Sequence, residues 1–169
     1  MSNPILANIV RFFFLILFQV LVFSSFHFFG YINPFPYVLF VLLFPVNGNK
    51  SYLVISSFFL GLTLDMFLNS GGIHAAACLI IAYFRPFFFK FAFGLSYEYQ
   101  TIKILGRFTK ERFSFLVSMI LVHHFVLFTL EAFKFSLIFN VLSKTFLSTI
   151  FTALISLIII YLIKPSRKK

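Results

Sequence analysis

The chain's strongest constraint is a series of apolar runs, each close to the length a helix needs to cross a bilayer. A hydrocarbon core of ~30 Å takes about 20 mostly apolar residues in α-helical form. Residues 9–29, 51–68, 73–93, 113–130 and 142–163 meet or approach that requirement, and within the last of these only Ser156 interrupts the run 154–163. Only 11% of residues are charged and 61% are hydrophobic, against about 25% charged in soluble domains. The expectation is an all-α integral membrane protein, a single transmembrane domain over residues 1–169 with no internal repeat, low-complexity linker or soluble module.

One stretch is ambiguous. Residues 37–44 are wholly apolar, yet the window 32–46, marked by Pro34 and Pro45, is short for a span. It is either a sixth helix in a locally thinned membrane or a re-entrant segment buried in protein. Pro36 suits the first turn of a helix, and Asn47-Gly48-Asn49 forms a compact turn after it.

Charge gives the orientation. Lys and Arg total 14 against 4 Asp and Glu, a net +10. On a soluble protein that surplus would suggest nucleic acid, but this chain has too few polar residues to present a basic patch, so no nucleic-acid partner is expected. Cytoplasmic loops collect Lys and Arg. If six segments cross with the N-terminus inside, one side holds Arg11, Lys50, Arg85, Lys90, Lys103, Arg107, Lys110, Arg112, Lys164, Arg167, Lys168 and Lys169, and the other only Lys134 and Lys144. If the short segment does not cross, only Arg11 changes side. The central loop, 94–112, and the C-terminal tail are cytoplasmic either way. Arg85 and Lys90 are expected to finish the fourth helix at the lipid headgroups, where long basic side chains snorkel.

The N-terminal apolar run exceeds the 7–15 residues of a signal peptide and lacks a small-x-small cleavage pattern, so it reads as a retained span. The lone Cys78 allows no intramolecular disulfide and no thiolate zinc site. No HExxH, GxSxG or GxxxxGK[ST] pattern occurs. The expectation is a protein that is not an enzyme and carries no cofactor.

Ionisable residues within spans are costly, and Asp65 is the one carboxylate inside an apolar run. Ser57, Gly61 and Asp65 follow at i, i+4, i+8, one stripe of a helix. Small residues four apart let helices approach closely, and Gly71/Ala75 and Gly72/Ala76 repeat that spacing just beyond. The third and fourth helices are therefore expected to pack around the turn after Asp65. Asp65 either fixes that turn or makes a packing or partner contact, and His74 lies near enough to hydrogen-bond to it. His123 and His124 point about 100° apart on a helix and cannot chelate one metal as i, i+4 ligands do. Satisfied polar residues in a helix interface are the expectation there.

The order of these features resembles the rod shape-determining MreD family. The resemblance rests on the short proline-flanked second segment, Phe58-Phe59-Leu60-Gly61-Leu62-Thr63-Leu64-Asp65-Met66-Phe67, a turn, Gly72-Ile73-His74-Ala75-Ala76-Ala77 and Tyr83-Phe84-Arg85-Pro86. The Arg85-Pro86 junction and the loop from Ser96 to Ile104 resemble the form found in Bacteroidetes. The resemblance implies a six-transmembrane-helix bundle in the bacterial cytoplasmic membrane with both termini cytoplasmic. It also implies an architecture related to the substrate-binding subunits of energy-coupling vitamin transporters. Its functional implication is a non-catalytic scaffold that binds MreC and helps couple MreB and the peptidoglycan synthase and transpeptidase to cell-shape control. Gly61, Asp65 and Gly72 match the family's motif. The alternative expectation is a small transporter or vitamin-binding subunit with a polar pocket at His74, His123, His124 and Asp65.

Overall fold

Two of the long helices are capped by residues suited to their termini. Asn49 opens one by accepting the Ser51 amide at 2.8 Å, supplying an acceptor that the first helical turn otherwise lacks. Asn69, in the left-handed region at φ 51°, closes the same helix. Thr109 accepts the Arg112 amide at the start of another. The computed structural model describes residues 4–24, 32–94 and 109–163. Its helices are α1 (Pro4–Phe18), continued by a π-helical turn (Gln19–Phe23), a 3-10 turn (Pro36–Val38) running into α2 (Leu39–Leu43), α3 (Lys50–Leu68), α4 (Ile73–Phe93), α5 (Lys110–Ala132) and, after a 3-10 turn (Phe135–Leu137), α6 (Ile138–Ile163). No strand occurs among the described residues.

Five of these helices are long and apolar enough to cross a membrane, which makes the chain a multi-pass helical membrane protein. Large apolar side chains such as Phe13, Phe59, Phe87 and Leu162 are exposed around the outside, the pattern of a bundle solvated by hydrocarbon. α3 packs on α4, α4 on α5 and α5 on α6. The helices overrun the hydropathy windows: α1 begins at Pro4, α5 at Lys110 and α6 at Ile138. A cap, rather than the edge of an apolar run, sets where a helix starts, and Thr109 carries α5 into what hydropathy assigned to the 94–112 loop. Residues 25–29 of the first expected span and most of that loop, 95–108, lie outside the described residues.

The ambiguous 32–46 stretch is helical only over three residues of 3-10 and five of α-helix. It sits at the centre of the bundle, where Tyr37, Val38, Leu39 and Val41 have no exposed surface. Gln19 bonds to the Pro34 carbonyl and Arg11 to the Leu43 carbonyl, so the segment runs antiparallel to α1.

α3 and α4 approach closely at Gly61. A Cβ on Gly61 would lie 2.5 Å from Ala75 Cα and 2.5 Å from the His74 carbonyl oxygen. These are backbone atoms of α4, so an added methyl must push the whole helix away. We expect Gly61→Ala to cost about 1–3 kcal/mol, as overpacking does in other cores, read as a lower unfolding midpoint in detergent; an unchanged midpoint would show that the hairpin can open without loss.

Candidate functional site

The sequence-predicted residues gather at the α3–α4 turn. Ser57, Gly61 and Asp65 share the buried face of α3. The Asp65 carboxylate spans the turn and accepts the backbone N–H of His74 at 3.0 Å, that of Ala75 at 2.8 Å and the Ser70 hydroxyl at 2.6 Å. Asp65 thus caps α4 from another helix. α4's own N-cap is Gly72 at φ 98°, which has no side chain to do so. The first turn of a helix carries unpaired amides and a partial positive charge, and here a carboxylate answers both.

Gly71 and Gly72 act through the backbone. Both have positive φ, and a Cβ at either would meet nothing within 4 Å, so they shape the turn and leave the close packing to Gly61 against Ala75. Ala75 is buried and Ala76 half-buried. The Ser57 hydroxyl is buried with no hydrogen-bond partner.

His74 meets Asp65 through its amide, while its ring faces inward. The Tyr37 hydroxyl lies 2.6 Å from His74 Nδ1 and 2.9 Å from His123 Nε2. One hydroxyl has one proton, so the two rings must play opposite roles. His123 Nδ1 is buried without a partner, and an orphaned acceptor is better tolerated there than an orphaned N–H. His123 Nε2–H therefore donates to the Tyr37 oxygen, and the Tyr37 O–H donates to His74 Nδ1. A parallel chain orders His124. Its Nδ1–H donates to the Ile120 carbonyl at 2.7 Å, its Nε2 accepts from Thr152 Oγ1 at 3.2 Å, and Thr152 in turn accepts the Phe35 amide at 3.0 Å. His123 and His124 belong to two separate hydrogen-bond chains, both anchored on the short central segment. Among the described residues no group of three His, Cys, Asp or Glu side chains could hold a metal.

Two arginines finish the far end of that segment. Arg85 Nη2 donates to the Leu42 carbonyl at 3.2 Å and to the Phe44 carbonyl, and Arg11 Nη1 donates to the Leu43 carbonyl at 3.0 Å. Arg85 is only 4% exposed, which corrects the expectation that it snorkels to the headgroups. Its guanidinium also stacks 4.8 Å from the Phe89 ring centroid.

At the opposite end an open cleft of about 670 Å³ is bordered by Gln19, Asn33, Ser70, His74, Glu131 and Lys144 among others. Glu131 and Lys144 pair there at 3.7 Å.

Sequence reasoning missed Tyr37, Arg11 and Thr152. A signal existed for the first: a phenol within a wholly apolar run needs a hydrogen-bond partner once buried. Arg11 and Thr152 carried no comparable mark.

Compared with protein-family models, curated proteins and solved structures, the chain matches none. Fold and site together define its class, a multi-pass helical membrane protein whose short central segment is held by polar side chains from four helices.

Two substitutions test this site. Asp65→Ala removes the cap of α4 and is expected to cost about 1–3 kcal/mol, with faster hydrogen exchange at the His74 and Ala75 amides; exchange as slow as in the wild type would mean that the carboxylate is not their cap. Tyr37→Phe strands two imidazole nitrogens at once and should cost about 1–3 kcal/mol, measured by thermal unfolding in detergent.

Proposed function

We propose that this protein is an MreD-like, non-catalytic scaffold of the bacterial cell-elongation machinery. It binds MreC and, directly or through MreC, helps couple MreB and the peptidoglycan synthase and transpeptidase to cell-shape control. In this proposal it lies in the cytoplasmic membrane and crosses six times with both termini cytoplasmic. Its architecture is then of the kind found in substrate-binding subunits of energy-coupling vitamin transporters.

The observation that carries the proposal is the α3–α4 hairpin, in which Gly61 meets the α4 backbone and Asp65 caps that helix. The residues that carry the resemblance thus form one physical device. Hydrophobicity cannot hold helices together in lipid, so a scaffold needs rigid, closely packed surfaces against which a partner's single helix can fit. Gly61 and Asp65 supply that rigidity from inside the hairpin. The six-crossing topology draws support from the direction of the central segment, antiparallel to α1, which returns the chain to the end where Arg11, Lys50 and Arg85 lie.

One observation favours a second reading, a ligand-binding or transport subunit: the open cleft bordered by Gln19, His74, Glu131 and Lys144. A small ligand that raises the unfolding midpoint of the purified protein would support that alternative.

The scaffold proposal predicts that the chain co-purifies from membranes with a single-span MreC-type partner. It also predicts that Gly61→Leu lowers the yield of that complex while membrane insertion stays intact. Equal complex yield at equal expression would overturn it.

A further inference from the structure

The described parts of the chain hold eight basic residues, and their helices place six of them, Arg11, Lys50, Arg85, Lys90, Lys110 and Arg112, at one end of the bundle. Two of these, Arg11 and Arg85, reach inward. They converge on three consecutive carbonyls, those of Leu42, Leu43 and Phe44, where α2 ends.

Neither arginine meets a carboxylate among the described residues. Asp65 is engaged at the α3–α4 turn, Glu131 pairs with Lys144 at the opposite end, and Glu111 lies exposed in the first turn of α5, beside Thr109. The carbonyl end of a full-length helix offers about half a negative charge, and a helix of two turns offers less. Among the described residues more than one full positive charge is left without a counter-charge, on the half-buried Arg11 and the buried Arg85, and unpaired charge away from water is costly.

The hydrogen bonding is unfinished in the same place. Arg85 Nε is buried without a partner. Arg11 is half-buried and spends only Nη1 on the protein, donating to Asn8 Oδ1 and the Leu43 carbonyl. Its Nε and Nη2 edge makes no hydrogen bond to the described residues. A guanidinium edge with two parallel donors is the shape that takes a phosphate or carboxylate through paired hydrogen bonds. Beside Arg11 on α1, Val10 and Phe14 are exposed apolar side chains, a surface along which an acyl chain can run toward the bilayer centre.

We propose that Arg11, backed by Arg85, forms a phosphate-binding site at the end of α2, occupied by the headgroup phosphate of an anionic lipid. The phosphate supplies the missing counter-charge and joins the central segment to the surrounding bilayer. Basic pockets between transmembrane helices hold anionic headgroups in this way.

The test uses the full chain in nanodiscs of phosphatidylcholine alone or with phosphatidylglycerol. Lipid retained after transfer to detergent is counted by native mass spectrometry. The expected result is retention of phosphatidylglycerol by the wild type and by Lys90→Met, and retention lowered about fivefold in Arg11→Met, the factor that one basic side chain contributes near a membrane surface. Stabilisation of the phosphatidylcholine sample by inorganic phosphate, lost in Arg11→Met, would keep the site and name free phosphate as its occupant. Equal retention by Arg11→Met, or equal loss in Lys90→Met, would overturn the proposal. Should Arg11→Met fail to fold, a chain carrying Arg107→Lys, Arg112→Lys and Arg167→Lys, labelled with ¹⁵N-arginine so that only Arg11 and Arg85 report, decides: dipolar contact between guanidinium nitrogen and lipid or phosphate phosphorus supports the site, and its absence refutes it.

Discussion

The structure depends on satisfying the backbone of a short segment that has no water around it. An isolated two-turn helix leaves most of its amides and carbonyls unpaired, and each unpaired group in an apolar interior costs free energy. Here the partners are side chains. Gln19 from the π-helical turn after α1 takes the Pro34 carbonyl, Thr152 from α6 takes the Phe35 amide, and Arg11 and Arg85 take carbonyls at the end of α2. The bundle closes around 32–46 because its walls carry the groups that segment lacks.

The same logic accounts for part of the buried polarity in so apolar a chain, although the hydroxyls of Ser57, Ser148 and Ser156 have no hydrogen-bond partner. Asp65, Tyr37, His123, His124 and Thr152 are all buried, and each makes at least one hydrogen bond to a backbone group or to another of these polar side chains. Directional bonds of this kind specify which helix faces which. Packing among near-identical apolar surfaces specifies far less, since lipid tails compete on equal terms for Leu and Phe.

Much of this was legible in the sequence. The five long helices follow from run length, and the Ser57, Gly61, Asp65 stripe follows from periodicity, because both are local properties. Asp65 as the residue that fixes the α3–α4 turn was also within reach, since its partners lie nine and ten positions away. Arg85 was misjudged because a basic residue near a helix end looks the same whether it faces headgroups or carbonyls. Its partner, the Leu42 carbonyl, lies 43 residues away, and no periodicity reports such a pairing. Tyr37 and His123, separated by 86 residues, were hidden for the same reason. The glycines of the turn were found for the wrong cause: their spacing mimics a packing motif, whereas their φ values show a backbone requirement.

The bond between Phe35 and Thr152 spans 117 residues of sequence, and that separation bears on how the protein is made. The ribosome delivers the central segment first and the hydroxyl that completes it 117 residues later. Until α6 emerges, the segment has an amide without an acceptor and too few helical residues to rest alone in lipid. The nascent chain therefore holds it in a half-built bundle, and the core locks only once α6 has been made. In this protein α6 is the latch for α2.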